Sequence, residues 1–180
     1  MAKLITSFAN TARHHYLMSS TLPTRFRDDR STSWSFIDEV IVVCPRCSRM
    51  AKVVRPPGDT TPYYQVFGPR RLVCSSCGYT RDHPGVRVVS SPGRRLPVGD
   101  PFFGVPLWLQ LPTRHGVLWA YNLRHLTFIE RFVAAHIRER ASFYDTRQKM
   151  TMIAKLPAWL KHRGNREENL RTIARIREST

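Results

Sequence analysis

The sequence predicts an α+β fold, in which a small β module is followed by a β-hairpin and then by amphipathic helices. Three observations support this fold class. The four cysteines of the 180-residue chain fall into two C-x-x-C pairs flanked by short β-prone segments. Apolar residues then alternate at strand period, and from Asn122 onward they recur at helical period. The change of period divides the chain into a β-rich part and a helical part.

The spacing of the cysteines predicts a metal site. Cys44 and Cys47 are separated by 26 residues from Cys74 and Cys77. Zinc prefers four ligands in a tetrahedron, and each C-x-x-C turn can supply two thiolates. Gly78 follows the second pair at a position where a side chain would be strained, and Ser48 stands at the equivalent position of the first pair. We therefore expect one structural Zn²⁺ site, closed to a catalytic water because all four ligands are thiolates.

Two alternatives compete with zinc. A pair of disulfides would need an oxidising compartment, and the N-terminal segment has no apolar core typical of a signal peptide. A redox C-x-x-C motif is expected near a βαβ pattern and would not explain a second, matching pair. Apolar runs such as Val40–Val43 are far shorter than the roughly 20 residues that cross a bilayer. The protein is expected to be cytoplasmic, without a membrane span.

The pattern of turns and strands divides the chain into four segments. We expect a flexible tail over 1–35, the zinc module over 36–90, a connector over 91–105, and a hairpin with helices over 106–180. Within the zinc module, three to five short strands are predicted. The β-prone segments are 36–43, 52–55, 63–67, 70–73 and 86–89.

The helical part begins after a predicted hairpin between 107–111 and 117–121. Asn122 is the expected N-cap of the first helix. Its apolar stripe comprises Leu123, Leu126, Ile129, Val133 and Ile137, widened by Phe128 and Phe132. Arg124, Arg131 and Arg138 recur every seven residues, which suits a phosphate-tracking ridge or simply a solvated face.

Two further helices are predicted near the end of the chain. A short one is expected around 150–154, before Pro157. The final helix begins at Asn165, which stands in the N-cap and N3 relation to Glu168. Its inner side is marked by Leu170, Ile173 and Ile176.

The net charge of +16 favours a polyanionic partner. Residues 44–82 alone contain seven basic and two acidic residues. An arginine-biased proteome would explain 24 arginines beside five lysines, but it would not by itself explain so few acids. Nucleic acid is the first class of partner that such a field attracts, and an anionic membrane surface is the second.

Little in the sequence suggests an enzyme. P-loop, H-E-x-x-H, G-x-S-x-G and dinucleotide-binding motifs are all missing from the sequence. The adjacent Asp38 and Glu39 would alternate across a strand, so both cannot face one substrate. A site assembled from scattered residues, including His125 or His136, is the remaining enzymatic alternative. We expect a protein that is not an enzyme.

The two cysteine pairs resemble the zinc ribbon of the transcription factor IIB type, through Cys44-Pro45-Arg46-Cys47 and Cys74-Ser75-Ser76-Cys77-Gly78. The pattern over 36–178 is similar to uncharacterised bacterial proteins that carry this ribbon. The residues involved are 106–110, 118–122, Leu126, Ile129, Glu130, 137–140, 156–159 and 165–168. The resemblance implies a zinc site with four cysteine ligands and a docking role on polymerases or nucleic acids, without an assigned activity.

These observations predict a zinc-ribbon protein that binds DNA or RNA mainly through the charge of the nucleic-acid backbone. Basic side chains of the ribbon would meet phosphates, and Tyr63, Tyr64 and Phe67 would either offer a stacking surface or cover the thin core of the ribbon. The candidate residues are Arg46, Arg49, Lys52, Arg55, Arg70, Arg71, Tyr63 and Tyr64. The alternative is a protein–protein adaptor whose ribbon or Trp-bearing hairpin docks an acidic partner.

Overall fold

The computed structural model describes residues 24–58, 61–85, 97–139 and 151–180, and these form an α+β fold as predicted. The strands are β1 (Arg25–Arg27), β2 (Glu39–Val43), β3 (Met50–Val54), β4 (Arg70–Val73), β5 (Thr80–His83), β6 (Gln110–Thr113), β7 (Gly116–Trp119) and β8 (Ile137–Glu139). The α-helices are α1 (Pro62–Phe67), α2 (Leu123–Ala134), α3 (Met152–Lys155), α4 (Ala158–Lys161) and α5 (Arg166–Glu178). Short 3₁₀ helices span Ser33–Phe36 and Arg163–Asn165.

The largest sheet is antiparallel, with the strand order β2-β3-β4-β5. Val53 lies opposite Val40 on one side and Leu72 on the other, and these three buried side chains cross the sheet in one row. The turns β2–β3 and β4–β5 lie at the same end of the sheet, because the chain reverses direction at each strand. This arrangement brings the two C-x-x-C turns together.

The outer edge of β2 is covered by the chain around the hairpin. The backbone N–H groups of Ile41 and Val43 donate to the carbonyls of Tyr121 (2.7 Å) and Pro106 (2.8 Å). Val42 also forms an isolated antiparallel bridge with Leu107. The predicted hairpin is present, but its paired strands are Gln110–Thr113 and Gly116–Trp119 rather than 107–111 and 117–121. The bonds to Ile41 and Val43 hold the flanking residues against the four-stranded sheet.

Helix α2 begins where the sequence predicts. The Asn122 side chain accepts a hydrogen bond from the backbone N–H of His125 (2.9 Å), and its amide donates to the carbonyls of Phe36 (2.8 Å) and Glu39 (2.7 Å). One buried residue therefore caps α2 and ties it to β2. The predicted apolar stripe is wrong at both ends, because Leu123 is 38% exposed at the start of α2 and the helix stops at Ala134. Ile137 lies in β8, where it is 37% exposed.

The predicted tail is wrong for its last residues. Residues 24–35 contain β1, which pairs in parallel with β8, so that Phe26 lies opposite Arg138. Phe26 is buried and contacts Phe128 and Phe132 edge-on, with ring centroids 5.4 Å apart in each pair. Residues 1–23 lie outside the described part of the chain.

The predicted strand over 63–67 is also wrong, because this segment forms α1. The side chain of Thr61 accepts from the backbone N–H of Tyr64 (3.4 Å), and Pro62 occupies the first turn, where its missing N–H costs nothing. This N-terminal signal prevails over the β propensity of the aromatic residues. The strand expected over 86–89 lies outside the described residues.

The described part of the expected connector, 97–105, packs against the sheet. The buried carboxylate of Asp100 accepts hydrogen bonds from the backbone N–H groups of Phe102, Phe103 and Val105, each at 2.9 Å. Burial nevertheless raises the pKa of Asp100, against the effect of these bonds. Val98 and Phe102 are buried in the core.

Helix α5 packs against α2 and the hairpin through its buried residues Ile173 and Ile176. It begins after Asn165 as predicted, but the predicted capping box is wrong. The Asn165 amide donates to the carbonyl of Trp159 (2.9 Å), and the Glu168 carboxylate pairs with Arg114 (2.9 Å). Across the described residues, we find no helix with the length and apolar character needed to cross a membrane.

Candidate metal centre and basic surface

Each C-x-x-C turn is held by the same two backbone hydrogen bonds. In the first, the N–H of Cys44 donates to Arg49 O (2.8 Å) and the N–H of Ser48 donates to Cys44 O (2.9 Å). In the second turn, the corresponding bonds join Cys74 to Tyr79 (2.9 Å) and Gly78 to Cys74 (3.0 Å). The two turns therefore present their sulfurs in the same way.

The residue that follows each pair adopts a left-handed backbone. Ser48 has φ 58° and Gly78 has φ 71°. Glycine adopts this region without strain, whereas a residue with a side chain is destabilised there. The sequence-based expectation for these two positions is thus confirmed, including the less suitable residue in the first turn.

The four sulfurs lie close enough together to bind a metal ion. Cys44 Sγ is 3.8 Å from Cys77 Sγ, Cys47 Sγ is 3.6 Å from Cys74 Sγ, and all four lie within 4.8 Å of one another. A tetrahedron with sulfurs about 2.3 Å from its centre has edges of about 3.8 Å. The closest sulfurs belong to different turns and are far beyond the roughly 2.05 Å of a disulfide. The geometry thus fits a shared metal ion better than paired disulfides.

Two thiols of the cluster, Cys74 and Cys47, have pKa values shifted in opposite directions. Burial raises the pKa of Cys74, but the backbone N–H groups of Cys77 and Ser76 and the neighbouring thiols outweigh it and lower the pKa to about 6. A hydrogen bond from the backbone N–H of Arg49 lowers the pKa of Cys47, but burial and the three surrounding sulfurs together raise it to about 12. Part of the cluster is thus already prepared to carry negative charge, which attracts a metal cation.

The exposed side of the metal turns carries arginine. Arg46 and Arg49 flank Cys47 and are both exposed. Within the described ranges, neither forms an ion pair with a carboxylate. The structure thus places two of the predicted phosphate-binding residues beside the metal site, with their charges accessible to a ligand. Arg55, at the other end of β3, is partly buried.

Two further candidates are engaged in ion pairs on one face of the sheet. Lys52 pairs with Glu39 (3.1 Å), and Arg71 forms a two-bond pair with Asp82 (2.6 and 3.1 Å). This contact lowers the pKa of the Asp82 carboxyl. All four side chains remain substantially exposed, so a phosphate would compete with the carboxylates for these cations.

Arg70 does not fit the predicted phosphate-binding role. Its side chain is fully buried, its Nη1 donates to the carbonyls of Gly68 (3.1 Å) and Pro69 (3.0 Å), and its guanidinium lies 4.4 Å from the centre of the Phe102 ring. Burial, and then the charge of Arg55, lower the pKa of Arg70 to about 10. Strand alternation explains the difference from Arg71, since adjacent side chains point to opposite faces.

The two candidate tyrosines also differ. Tyr63 is 67% exposed. Tyr64 packs along the backbone, because a Cβ built on Gly58 or Gly68 would lie 3.4 or 2.9 Å from its side chain. Only Tyr63 offers an open ring face, and Tyr64 has a packing role.

The seven-residue repeat of Arg124, Arg131 and Arg138 suited either a phosphate-tracking ridge or a solvated face, and the three arginines do not all lie on α2. Arg138 lies in β8, where its guanidinium donates to Lys161 O (2.6 Å) and Val133 O (3.2 Å). Arg124 binds the carboxylate of Asp38 (2.7 Å). Arg131 remains exposed on the helix surface. Arg124 and Arg131 therefore share one face of α2, and Arg138 lies beyond the end of the helix.

The tryptophans of the hairpin serve the fold. The indole N–H of Trp108 donates to the carbonyl of Ser179 (3.0 Å), and Trp119 packs edge-on against Tyr121 and His125. His125 is fully buried, its Nδ1 accepts from the Tyr121 N–H (3.2 Å), and burial lowers its pKa to about 3. His136 contacts Thr24 (3.2 Å). Neither histidine belongs to the cysteine cluster.

One concentration of charge was not expected from the sequence. A cleft of about 570 Å³ opens at the start of α5. The positive charges of Arg166 and Arg163, which line this cleft, also act on Arg138 outside it: after burial, they are the next causes that lower the pKa of Arg138. The three arginines within 163–171 were the feature of the sequence that could have predicted this charged cleft. The cleft is lined by Arg114, Arg163, Gly164, Arg166, Glu167, Glu168 and Arg171.

The chain matches no protein-family model, and it has no significant match among curated proteins or solved structures. Its function must therefore be argued from the residues themselves.

Proposed function

We propose that the protein is a non-enzymatic zinc-ribbon protein that binds nucleic acid mainly through the phosphate backbone. The observation that carries this proposal is the placement of the exposed Arg46 and Arg49 beside four cysteine sulfurs that lie within 4.8 Å of one another. The metal would hold the turn that presents these charges, and the net charge of +16 would attract the polyanion.

Zinc is the metal best suited to the four sulfurs. Tetrahedral thiolate sites in proteins hold zinc or iron, and zinc adds no redox chemistry to a structural site. The sulfurs supply all four positions of the tetrahedron, which leaves none for a substrate. The role of the metal would be to fix the two turns at the end of the sheet.

The metal can be tested by elemental analysis of the purified chain. We expect about one zinc per chain and little iron. Cys74→Ser should lose the metal, whereas the neighbouring exposed Ser75→Ala should retain it. Stoichiometric iron, or zinc retained in Cys74→Ser, would contradict the proposed site.

Nucleic-acid binding can be tested by its dependence on salt. Binding to a duplex and to a single strand should weaken steeply as salt rises, because neutralised phosphates release counterions. The double variant Arg46→Glu/Arg49→Glu should bind more weakly and with a shallower slope.

A charge-matched control separates a local effect from a general one. Arg131 and Arg175 are exposed on α2 and α5, so Arg131→Glu/Arg175→Glu changes the net charge equally. The control should bind more tightly than the double variant of the metal turn. Equal losses would show that the metal turn has no special role, and salt-insensitive binding would contradict the proposal. A protein that remains bound through purification after nuclease treatment would favour the adaptor alternative.

A further inference from the structure

We propose that Trp34, Tyr63 and Phe67 form a stacking platform for the unpaired bases of single-stranded nucleic acid. The three rings come from the first 3₁₀ helix and from α1. The ring centroids of Trp34 and Phe67 are 6.3 Å apart, and those of Tyr63 and Phe67 are 5.1 Å apart. Two chain segments thus build one continuous aromatic surface, which we call the aromatic platform.

The exposure of the aromatic platform is unusual in this protein. Among the described residues, four large hydrophobic side chains are exposed, and the two aromatic ones are Trp34 (38%) and Tyr63 (67%). Both contact Phe67, which is partly buried beneath them. Aromatic rings exposed side by side are more costly in water than in a complex, so the cluster indicates a ligand with flat apolar faces.

The backbone beneath Trp34 is well fixed. Its 3₁₀ helix begins with two reciprocal hydrogen bonds, in which the N–H of Thr32 donates to Ser35 Oγ (3.1 Å) and the N–H of Ser35 donates to the backbone carbonyl of Thr32 (3.0 Å). The next aromatic residue, Phe36, is buried and stacks on His125 with ring centroids 4.7 Å apart. Trp34 is therefore held outward while its neighbour points into the core.

Two cations from other helices contact the short 3₁₀ helix that carries Trp34. Lys155 Nζ contacts Ser33 Oγ (3.3 Å), and the Arg124 guanidinium binds the carbonyl of Ser35. Ser33 and Ser35 are the residues on either side of Trp34, so both positive charges lie close to the segment that carries its ring. Lys155 and Arg124 are exposed, and a phosphate would compete with the Asp38 carboxylate (2.7 Å) for Arg124. Rings beside cations match the alternation of bases and phosphates in a single strand.

A double helix would not satisfy this surface, because its bases are stacked on one another and their faces are hidden. The aromatic platform therefore predicts a preference for single strands. This inference rests on the proposed nucleic-acid binding and adds that bases, besides phosphates, are recognised.

The test uses three fluorescent probes of equal length: an oligothymidylate, an abasic deoxyribose-phosphate strand, and a duplex. The wild-type protein should bind the oligothymidylate more tightly than the abasic strand at the same salt concentration. Trp34→Ala and Tyr63→Ala should each weaken binding of the oligothymidylate by roughly fivefold or more and leave the abasic strand unaffected. Trp34→Phe and Tyr63→Phe, which keep a ring, should restore most of the affinity.

The outcomes separate this inference from the proposed function. Equal, salt-dependent binding of the thymidine and abasic strands would overturn the aromatic platform and leave backbone binding intact. Failure to bind any probe would overturn both. Loss of a co-purifying protein from Trp34→Ala, with unchanged binding of the oligothymidylate, would show that the aromatic platform serves a protein partner. Metal content and circular dichroism should match the wild type in every variant used.

Discussion

Ser48 and Gly78 occupy the same position in the two C-x-x-C turns and share a left-handed backbone, with φ 58° and 71°. Each donates its N–H to the carbonyl of the first cysteine of its own turn, Cys44 or Cys74. The turns are thus near copies in geometry but not in sequence. The first turn carries backbone strain that the second avoids.

This difference predicts opposite effects at the two positions. Ser48→Gly should raise the free energy of unfolding by about 0.5–1 kcal/mol, because glycine removes the strain of a side chain at positive φ. Gly78→Ala should lower it by about 1 kcal/mol through the backbone alone, since a Cβ at Gly78 would meet no atom within 4 Å. Chemical denaturation at a fixed metal concentration measures both changes. Shifts in the same direction would contradict the assigned backbone conformation.

Arg70 and Arg71 offer a matched pair of adjacent arginines on opposite faces of β4. Arg70→Ala should lower the free energy of unfolding by about 2–4 kcal/mol, because it leaves a cavity against Phe102 and removes the donor to two backbone carbonyls. Arg71→Ala should leave stability nearly unchanged, since its ion pair with Asp82 is exposed. Denaturation of the two variants side by side decides this. A small effect at Arg70 would show that its burial contributes little to the fold.

Asn122 allows the N-cap of α2 to be separated from its contacts with the sheet. Asn122→Ala should lower the free energy of unfolding by about 2–4 kcal/mol, because one acceptor and two donated hydrogen bonds are lost. Asn122→Asp keeps the acceptor for the His125 N–H but removes the donors to Phe36 and Glu39. If α2 and the sheet are coupled through this side chain, Asn122→Asp should be nearly as destabilising as Asn122→Ala. Recovery to wild-type stability would assign Asn122 to capping only.

His125 should make stability depend on pH. Burial lowers its pKa to about 3 in the folded protein, so in the range from about 6.5 down to 3 the unfolded chain binds a proton that the folded protein does not. The free energy of unfolding should therefore fall with decreasing pH, by at most about 1.4 kcal/mol per pH unit from this group.

The matched comparison is His125→Gln, which does not titrate. Between pH 7.5 and 5.5, the wild type should lose about 1.4 kcal/mol more stability than the variant. The metal site is common to both proteins, so its own pH dependence cancels in the difference. If the free energy of unfolding changed with pH equally in both proteins, the pKa of His125 would be the same in the folded and unfolded states, which would contradict the effect of burial.

The local features of this fold could be predicted from the sequence. The cysteine spacing predicted the cluster of Cys44, Cys47, Cys74 and Cys77, because two matching C-x-x-C pairs together supply the four thiolates of one metal site. Asn122 was the correct N-cap, since capping depends on residues near in sequence. The hairpin β6–β7 likewise follows from strand-period alternation around one turn.

The errors arise where distant contacts or competing local signals decide the structure. The 63–67 segment has β-prone residues, but the capping threonine and the following proline favour a helix. The burial of Arg70 depends on Phe102, which lies far away in the sequence, so charge alone suggested an exposed role. Trp34 could not be linked to Tyr63 and Phe67 until the fold placed the two segments side by side.

The pairing of β1 with β8 has a consequence for how the protein forms during synthesis. All four strands of the largest sheet lie within residues 39–83, so they can pair while the later part of the chain is still on the ribosome, before the hairpin covers the edge of β2. Strand β1 emerges first but cannot pair until Ile137–Glu139 has been made. Until then, the apolar side chain of Phe26 has no Phe128 or Phe132 to cover it. The first of the described strands is thus among the last to pair, and the nascent chain is open to aggregation or chaperone binding in that interval.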